Sequence, residues 1–430
     1  MYLILLLFSN TVILGKVEGV IGPITANYVH RVIKEAEETD AEALVLLLDT
    51  PGGLMSSMRD IVKDELNSPV PIVIYVHPSG ASDASAGVFL TYAAHIAAMT
   101  PGTNIGAAHP VSISPKEPGG GGCEKEEKTK EDKNNETIMM EKVTEDAAAY
   151  LRGIAKKRKR NQNWAEKVVR ESVSATAEEA LNLNIIDLIA SSVDELLEKI
   201  HGRELDLPGG SKKLDTKNAT KKSIPMSLRE EFLKLISNPN IAYILFIVGF
   251  YGLIFEITHP GAIIPGLMGA LSLVLAFYAF QTLPINYTGV ALIILGIAMF
   301  VMEVLTPTYG PLTIGGIVSM SIGSMMLINS DASFLQISKP LIFAAVGTTA
   351  AFFLFALGAV LRAMRRKPTT GKEGLIGTTG KAVTNINSTD GKVFVHGEYW
   401  NAVSDDKIKK NSEVEVVEVD GLKLKVKKSR

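Results

Sequence analysis

The chain has 430 residues, 47% of them hydrophobic, and at roughly 150 residues per domain that length makes about three folding units. Its 44 basic side chains nearly cancel its 46 acidic ones, which removes any whole-chain argument for binding nucleic acid or another polyanion. The single cysteine, Cys123, excludes an intrachain disulfide framework and a multi-cysteine zinc or iron–sulfur site. Charge is also unevenly spread: from Pro239 to Leu361 the only Asp, Glu, Lys or Arg residues are Glu256, Glu303, Asp331 and Lys339. Water does not suit such a tract and a bilayer does, so the sequence describes a membrane protein with soluble parts.

Met1 to Gly15 is apolar and gives way abruptly to Lys16-Val-Glu, as the core of an export signal does, although a basic leading region is missing. A buried first strand is the alternative. From Lys16 to Leu207 strands and helices alternate. Val17 to Ile21 is a short apolar strand, Ile24 to Glu38 places Ile24, Tyr28, Val32, Ile33 and Ala36 at helical spacing, and Ala43 to Asp49 is a continuous apolar run. A second run, Ile72 to Val76, follows a helix over Leu54 to Leu66. Fully apolar strands after helices predict a parallel sheet covered on both faces, hence an α/β domain. Val88 to Ala98 reads as one apolar helix. Ser114 to Glu136, glycine-rich and then crowded with Lys and Glu, reads as a mobile surface loop. A helix over Thr137 to Lys159, a capped helical turn at Ala175 to Leu181 and a last strand at Ile185 to Ile189 follow; residues 208–238, with polar Gly209 to Lys222, read as a linker.

Turn residues and rare charges divide the apolar tract into about five spans: Ile241–Ile257, Ala262–Phe280, Tyr287–Met302, Leu312–Ile328 and Pro340–Leu361. Each is near the ~17–25 residues that cross a bilayer, with the third at the short end and open to a re-entrant path, so that four or six crossings are alternatives to five. Glu256 and Glu303 sit near span ends, where interfacial exposure is the simplest explanation of them. Arg362, Arg365, Arg366 and Lys367 directly follow the last span, which favours the cytoplasm for that end and, with an odd number of spans, the outside for the α/β domain. From Gly371 to Arg430 largely alternating strands with Gly and Asp-Gly turns suit a small β-barrel.

Two turns carry the candidate chemistry. Asp49-Thr50-Pro51-Gly52-Gly53 ends one apolar strand, and its glycines let backbone N–H groups approach a ligand as an oxyanion hole requires. Gly80-Ala-Ser-Asp-Ala-Ser-Ala-Gly87 follows the next, with small residues that would leave the Ser85 hydroxyl bare at a helix N-terminus. Alone, the first is as much a plain strand-to-helix turn, and a serine among Ala and Gly is more often close packing. None of the seven histidines shows metal-ligand spacing or a Gly-rich turn with a carboxylate partner; His109 is the best base among them, though packing explains it better. A lysine can replace histidine when desolvation keeps it neutral, and Lys142, where the polar loop meets the helix of Ala147, Tyr150 and Leu151, is the candidate.

These residues, with Pro101-Gly-Thr-Asn-Ile-Gly106, Lys142-Val-Thr, Thr176-Ala-Glu-Glu-Ala-Leu181, Ile-Ile-Asp187 and Gly397-Glu-Tyr-Trp-Asn-Ala402, stand in the order found in long-form NfeD proteins, which the chain resembles over nearly its whole length. The resemblance implies a membrane-bound, ClpP-class serine protease with a crotonase-like α/β domain, encoded beside stomatin-like proteins, and a C-terminal OB-fold. It puts the catalytic serine on Ser85, the general base on Lys142, and the oxyanion donors on the backbone of Gly52 or Gly53 and of Ala86. It further implies apolar peptide substrates from a stomatin-like membrane partner and a protease domain that dimerises; the spans imply lipid contact, the mechanism needs no cofactor, and with Tyr399 and Trp400 alone as an aromatic platform the barrel suits protein better than single-stranded nucleic acid. Asp83 departs from the family, which has a small apolar residue there; a carboxylate so placed would hold Lys142 protonated. Lys116, Lys125 and Lys133 are rival bases in the charged loop. Two other classes remain, a hydratase-like acyl-CoA enzyme on the same fold and a non-catalytic membrane scaffold.

Overall fold

The computed structural model describes residues 10–111, 130–259, 261, 263–306, 308, 310–328, 330, 335–364 and 374–429, and side chains within 130–137, 360, 361, 363 and 364 are not described. Lys116, Lys125 and the Lys133 side chain, Cys123, Asp331 and most of the expected export segment therefore lie outside the described residues.

The first strand, β1 (Thr11–Glu18), leads to α1 (Pro23–Glu38), β2 (Ala43–Asp49), α2 (Met55–Asn67), β3 (Ile72–Val76), a short β4 (Ser82–Ala84), α3 (Ala86–Ala93), β5 (Ile96–Met99) and β6 (Asn104–Gly106). After the undescribed segment come α4 (Lys130–Lys157), α5 (Gln162–Arg170), β7 (Ser174–Thr176), α6 (Ala177–Asn182), β8 (Leu188–Ile189), α7 (Val193–Ile200), β9 (Glu204–Leu207), β10 (Gly210–Lys213) and β11 (Thr220–Ser223). Six strands form one all-parallel sheet in the order β11-β1-β2-β3-β5-β8. Register explains the apolar runs: Leu46 pairs with Ile74 and Ile74 with Ala97, all facing the helices α1 to α4, whereas Val45, Val73 and Ile96 face α7. Both faces are covered, so neither shows polar alternation. A smaller sheet, β4-β6-β7, is tied to the end of β2 by the Thr50–Asp83 bridge.

Several boundaries differ from the sequence reading; α4 begins at Lys130, inside the expected surface loop, and the last strand is only Leu188–Ile189. Thr11 to Gly15 belongs to β1, paired to β2 and β11, so part of the expected export segment is the buried strand that was its alternative. The run Val88 to Ala98 is a helix that stops at Ala93 and a strand, β5, because an apolar stretch buried on every side carries no period to tell the two apart. The expected linker holds β10, which pairs with β9, and β11, an edge strand of the main sheet. The capped turn is as expected: Thr176 and Glu179 form a reciprocal capping box on α6.

A short helix, α8 (Leu228–Ile236), precedes five apolar helices: α9 (Pro239–Thr258), α10 (Ile263–Phe280), α11 (Tyr287–Leu305), α12 (Pro311–Leu327) and α13 (Lys339–Met364). Four of them are long and apolar enough to cross a membrane, and α12, with 17 residues, is shorter. The short member is thus the fourth and not the third, since α11 runs on to Leu305. Small residues allow close packing, as a bilayer without a hydrophobic drive between helices demands: a Cβ on Gly252 would fall 2.7 Å from the Cα of Gly269, and one on Gly289 2.8 Å from the Gly323 carbonyl oxygen. Glu303 lacks the exposure expected of it. It is 1% exposed, and its carboxylate accepts bonds from the N–H groups of Thr308, Gly310 and Thr313 and from the Thr308 hydroxyl, which caps the start of α12. Glu256 is half-buried beside Gly266.

The last strands, β12 (Thr379–Ala382), β13 (Lys392–Val395), β14 (Glu398–Val403), β15 (Glu413–Asp420) and β16 (Lys423–Lys428), close into a barrel in the order β12-β13-β14-β16-β15. Its core is the inward half of each alternation, including Val393, Val395, Val414, Val416, Leu424 and Val426.

Candidate active site

The two glycine-rich turns meet. Gly52, at φ +120°, has no room for a side chain: a Cβ there would lie 2.6 Å from the Cβ of Ser85 and 3.0 Å from its Oγ. Ser85 itself adopts φ 54°, ψ −110°, a conformation that L-residues avoid, at the junction of β4 and α3. Its N–H donates to the Gly106 carbonyl at 3.0 Å, and its hydroxyl has no partner among the described residues. Strain of this kind at a strand-to-helix serine presents the hydroxyl outward above the first turn of the helix.

The hydrogen bonds separate the two glycine amides. The Gly52 N–H donates to the Thr50 hydroxyl at 3.0 Å, and that hydroxyl donates back to the Gly52 carbonyl, which also receives the Ile21 N–H. Gly53 bridges Ile21, yet its own N–H has no partner among the described residues; the same is true of the Ala86 N–H, first in α3. Of the three amides expected to hold an oxyanion, that of Gly52 is thus occupied, and those of Gly53 and Ala86 have no partner among the described residues.

Asp83 does not reach toward Lys142. Its carboxyl is fully buried beneath α3, where one oxygen accepts the Thr91 hydroxyl at 2.6 Å and the other has no partner among the described residues. Burial pushes the Asp83 carboxyl up to about 7, against the opposing pull of the Thr91 hydrogen bond. Gly87 makes this burial feasible, because any Cβ there would fall 2.1 Å from the Asp83 oxygen.

Lys142 is exposed on α4, and no hydrogen bond joins it to Ser85 among the described residues. Its level along the fold follows from neighbouring contacts. Tyr150 of α4 stacks on Phe89 of α3, and Arg158 donates to the Ala93 carbonyl at 2.6 Å, so the two helices advance in the same direction. Ser85 lies one turn before Phe89 and Lys142 two turns before Tyr150, toward the same end. On this side Asp146, one turn after Lys142, pairs with Arg59 of α2. His109 is committed elsewhere: its Nδ1 lies 2.8 Å from the Val169 carbonyl. Groups of three or more His, Cys, Asp or Glu suited to a metal are absent among the described residues.

Sequence reasoning missed the far end of α3. Arg158 and Arg160 donate to the carbonyls of Tyr92, Ala93 and Ala94, and Arg160, with its side chain 3% exposed, pairs with Asp187 at 2.6 Å. Two cations at a helix C-terminus favour its dipole and hold the helix whose other end carries Ser85. Glu65 is buried nearby, and desolvation raises its carboxyl well above the usual range.

Comparison with known proteins agrees with this architecture. Three family models match in sequence: the NfeD1b N-terminal domain over residues 12–207, the NfeD integral membrane domain over 240–359, and the NfeD-like C-terminal, partner-binding domain over 372–428. The membrane-bound protease PH1510 of Pyrococcus horikoshii is 34% identical across 99% of this chain and 95% of its own length. The membrane protein NfeD1b of Bacillus subtilis is 25% identical across 97% and 93%. A solved structure of a lysine-to-alanine variant of the 1510-N membrane-bound stomatin-specific protease, in complex with a substrate peptide, is 30% identical and covers 54% of this chain and 99% of that one, with a TM-score of 0.46. From one end to the other, the chain belongs to the NfeD family.

Proposed function

We propose that the protein is a membrane-anchored serine endopeptidase that cleaves apolar segments of a stomatin-like membrane protein with a Ser85–Lys142 dyad. The observation that carries this reading is the strained Ser85 at the N-terminus of α3, packed against Gly52, with the unpaired amides of Ala86 at that helix end and of Gly53 in the turn after β2. In the mechanism, neutral Lys142 takes the Ser85 proton, Oγ attacks the scissile carbonyl, and the oxyanion is held by the N–H groups of Gly53 and Ala86. Lys142 returns the proton to the leaving amine, and water then cleaves the acyl-enzyme. We assign the α/β domain, residues 16–207 in core extent and continuing to β11, to the extracytoplasmic side. The closed barrel we read as an OB-fold on the cytoplasmic side, contacting a protein partner, and the protease domain as a dimer.

One observation favours a second reading, a non-catalytic scaffold: the exposed Lys142 makes no bond to Ser85 among the described residues. Cleavage of an apolar peptide by the native chain, Ser85→Ala and Lys142→Ala discriminates. The dyad requires loss in both variants; native protein that is folded and inactive on a broad peptide set selects the scaffold, and activity retained in Lys142→Ala sends the base elsewhere.

A further inference from the structure

A cleft of about 680 Å³ opens beside the catalytic turn, within the ~300–1,000 Å³ of typical ligand sites. One end is Leu54, the residue after Gly53; the other is the start of α9 at Asn238 and Pro239 and the turn after α10 at Thr282 and Leu283. Its apolar lining includes Val20, Leu54, Met226, Leu235, Leu283 and Leu335, of which Leu283 and Leu335 are buried. The cleft thus links the Gly53 turn to the ends of two spans.

Two features indicate what fits it. First, the chain beyond β1 has an edge with unpaired donors, although the Val20 and Gly22 carbonyls accept the Thr25 hydroxyl and the Ala26 N–H. The N–H groups of Gly19 and Ile21 bind the carbonyls of Asp49 and Gly52, but those of Val20 and Gly22, which both line the cleft, have no partner among the described residues. Strand β11 covers β1 only from Thr11 to Leu14. Such an edge pairs with an extended peptide, whose side chains enter the pockets alongside. Second, α8 exposes Leu228 (86%), Phe232 (49%) and Leu235 (56%) on one helical face, and only Ser237 and Asn238 separate it from the span α9. A helix that carries an apolar stripe at the foot of a span lies on the lipid surface, and this places the cleft mouth at the headgroups.

We propose that the cleft is the route by which an extended apolar segment of a bilayer-anchored polypeptide passes from the lipid surface to the Gly53 turn. The proposal rests on the endopeptidase reading and adds the path of its substrate. It predicts that the cleft is needed for substrates tethered in the membrane and not for short peptides that enter from water.

The test uses the full chain in lipid nanodiscs, with a single-span reporter followed by a Leu/Val/Ala stretch and a soluble peptide of the same stretch. Leu235→Arg and Met226→Arg, both at solvent-accessible positions, are expected to lower reporter cleavage by about tenfold or more while soluble-peptide cleavage stays within about twofold, and Leu235→Met to restore the reporter. Equal loss on both substrates, or no loss on either, overturns the route. Loss of proteolysis as such is recognised separately, because the native chain then matches Ser85→Ala on the soluble peptide. In that event photo-crosslinking decides: a reporter with benzoylphenylalanine in its apolar stretch, mixed with Ser85→Ala protein, is expected to form adducts at Val20, Met226 or Leu235. Adducts elsewhere, or adducts of a photoactivatable lipid in their place, refute it.

Discussion

Asp83→Asn isolates the buried carboxyl beneath Ser85. In the fold its ionisation is disfavoured, with a value of about 7 against 3.8 for the free group, whereas the unfolded chain ionises near the free value. Between those values the native state binds the extra proton, so unfolding releases it and stability falls as pH rises, by about 1.4 kcal/mol per unit. Summed from pH 5 to pH 8, the native chain loses on the order of 2.5 kcal/mol that the variant does not, because asparagine stays neutral. The amide keeps the Thr91 bond and puts its NH2 where the protonated acid carries its own unpaired group, so the two chains should be similar near pH 4 and diverge above it. Trp164, 7% exposed and stacked on Tyr92, reports this domain. Urea unfolding of nanodisc-embedded protein, followed by Trp164 fluorescence in a Trp400→Phe background, measures the difference at each pH. His95 is common to both chains; Glu65, whose carboxyl the Asp83 charge helps to raise, is removed by making the comparison in a Glu65→Gln background. Parallel stability profiles from pH 5 to 8 would refute the neutral-carboxyl account, and with it the claim that Asp83 leaves Lys142 alone.

Gly52→Ala forces a Cβ to within 2.6 Å of the Ser85 Cβ at φ +120°; proteolysis should vanish and stability fall by about 1–3 kcal/mol, which peptide cleavage and urea unfolding measure together. Asp187→Ala strips Arg160 of its carboxylate while the guanidinium stays buried; since Asp187 is one-third exposed, a cost near the lower end of ~3–5 kcal/mol is expected, read as a shift of the same unfolding midpoint. Glu303→Gln turns one acceptor oxygen into a donor facing the cage of N–H groups at the start of α12; a loss of ~1–3 kcal/mol should appear in SDS titration of the bicelle-embedded chain, with soluble-peptide cleavage unchanged.

The sheet was legible because its strands are buried on both faces and therefore read as unbroken aliphatic runs, and the spans because charge is nearly absent from Pro239 onward. What escaped the sequence lies where a local pattern has two readings. Val88 to Ala98 is apolar apart from Thr91 and His95, and too few polar positions remain for periodicity to mark the break at Ala94, where the helix gives way to β5. Thr220 to Ser223 is exposed throughout and looks like a linker, yet it pairs in parallel with Thr11 to Leu14, a contact made across some two hundred residues. Glu303 reads as interfacial from its position near a span end; only the turn that folds back onto its carboxylate makes it a cap.

The candidate site divides in the same way, and the division has a physical basis. Small residues are demanded by close approach, so Gly52, Gly87 and the Ala-Ser-Ala run around Ser85 announce a crowded junction even in one dimension. Donor availability is another matter, because Gly52 and Gly53 are chemically identical until the Thr50 hydroxyl occupies one of them. The arginines at the other end of α3 are more deeply hidden. Lys156-Lys-Arg-Lys-Arg160 looks like a solvated basic face, and nothing local says that Arg158 and Arg160 turn inward while their lysine neighbours do not. The cue is distant: Asp187, after two isoleucines, is a lone carboxylate at the start of β8, one-third exposed and placed to neutralise a buried cation. Arg160 supplies it and at the same time takes the carbonyls of Tyr92 and Ala94. The helix that presents Ser85 is thereby fixed at both ends, by the crowded glycine turn at its N-terminus and by cations at its C-terminus, so the serine's strained conformation is maintained by contacts some eight residues away along α3.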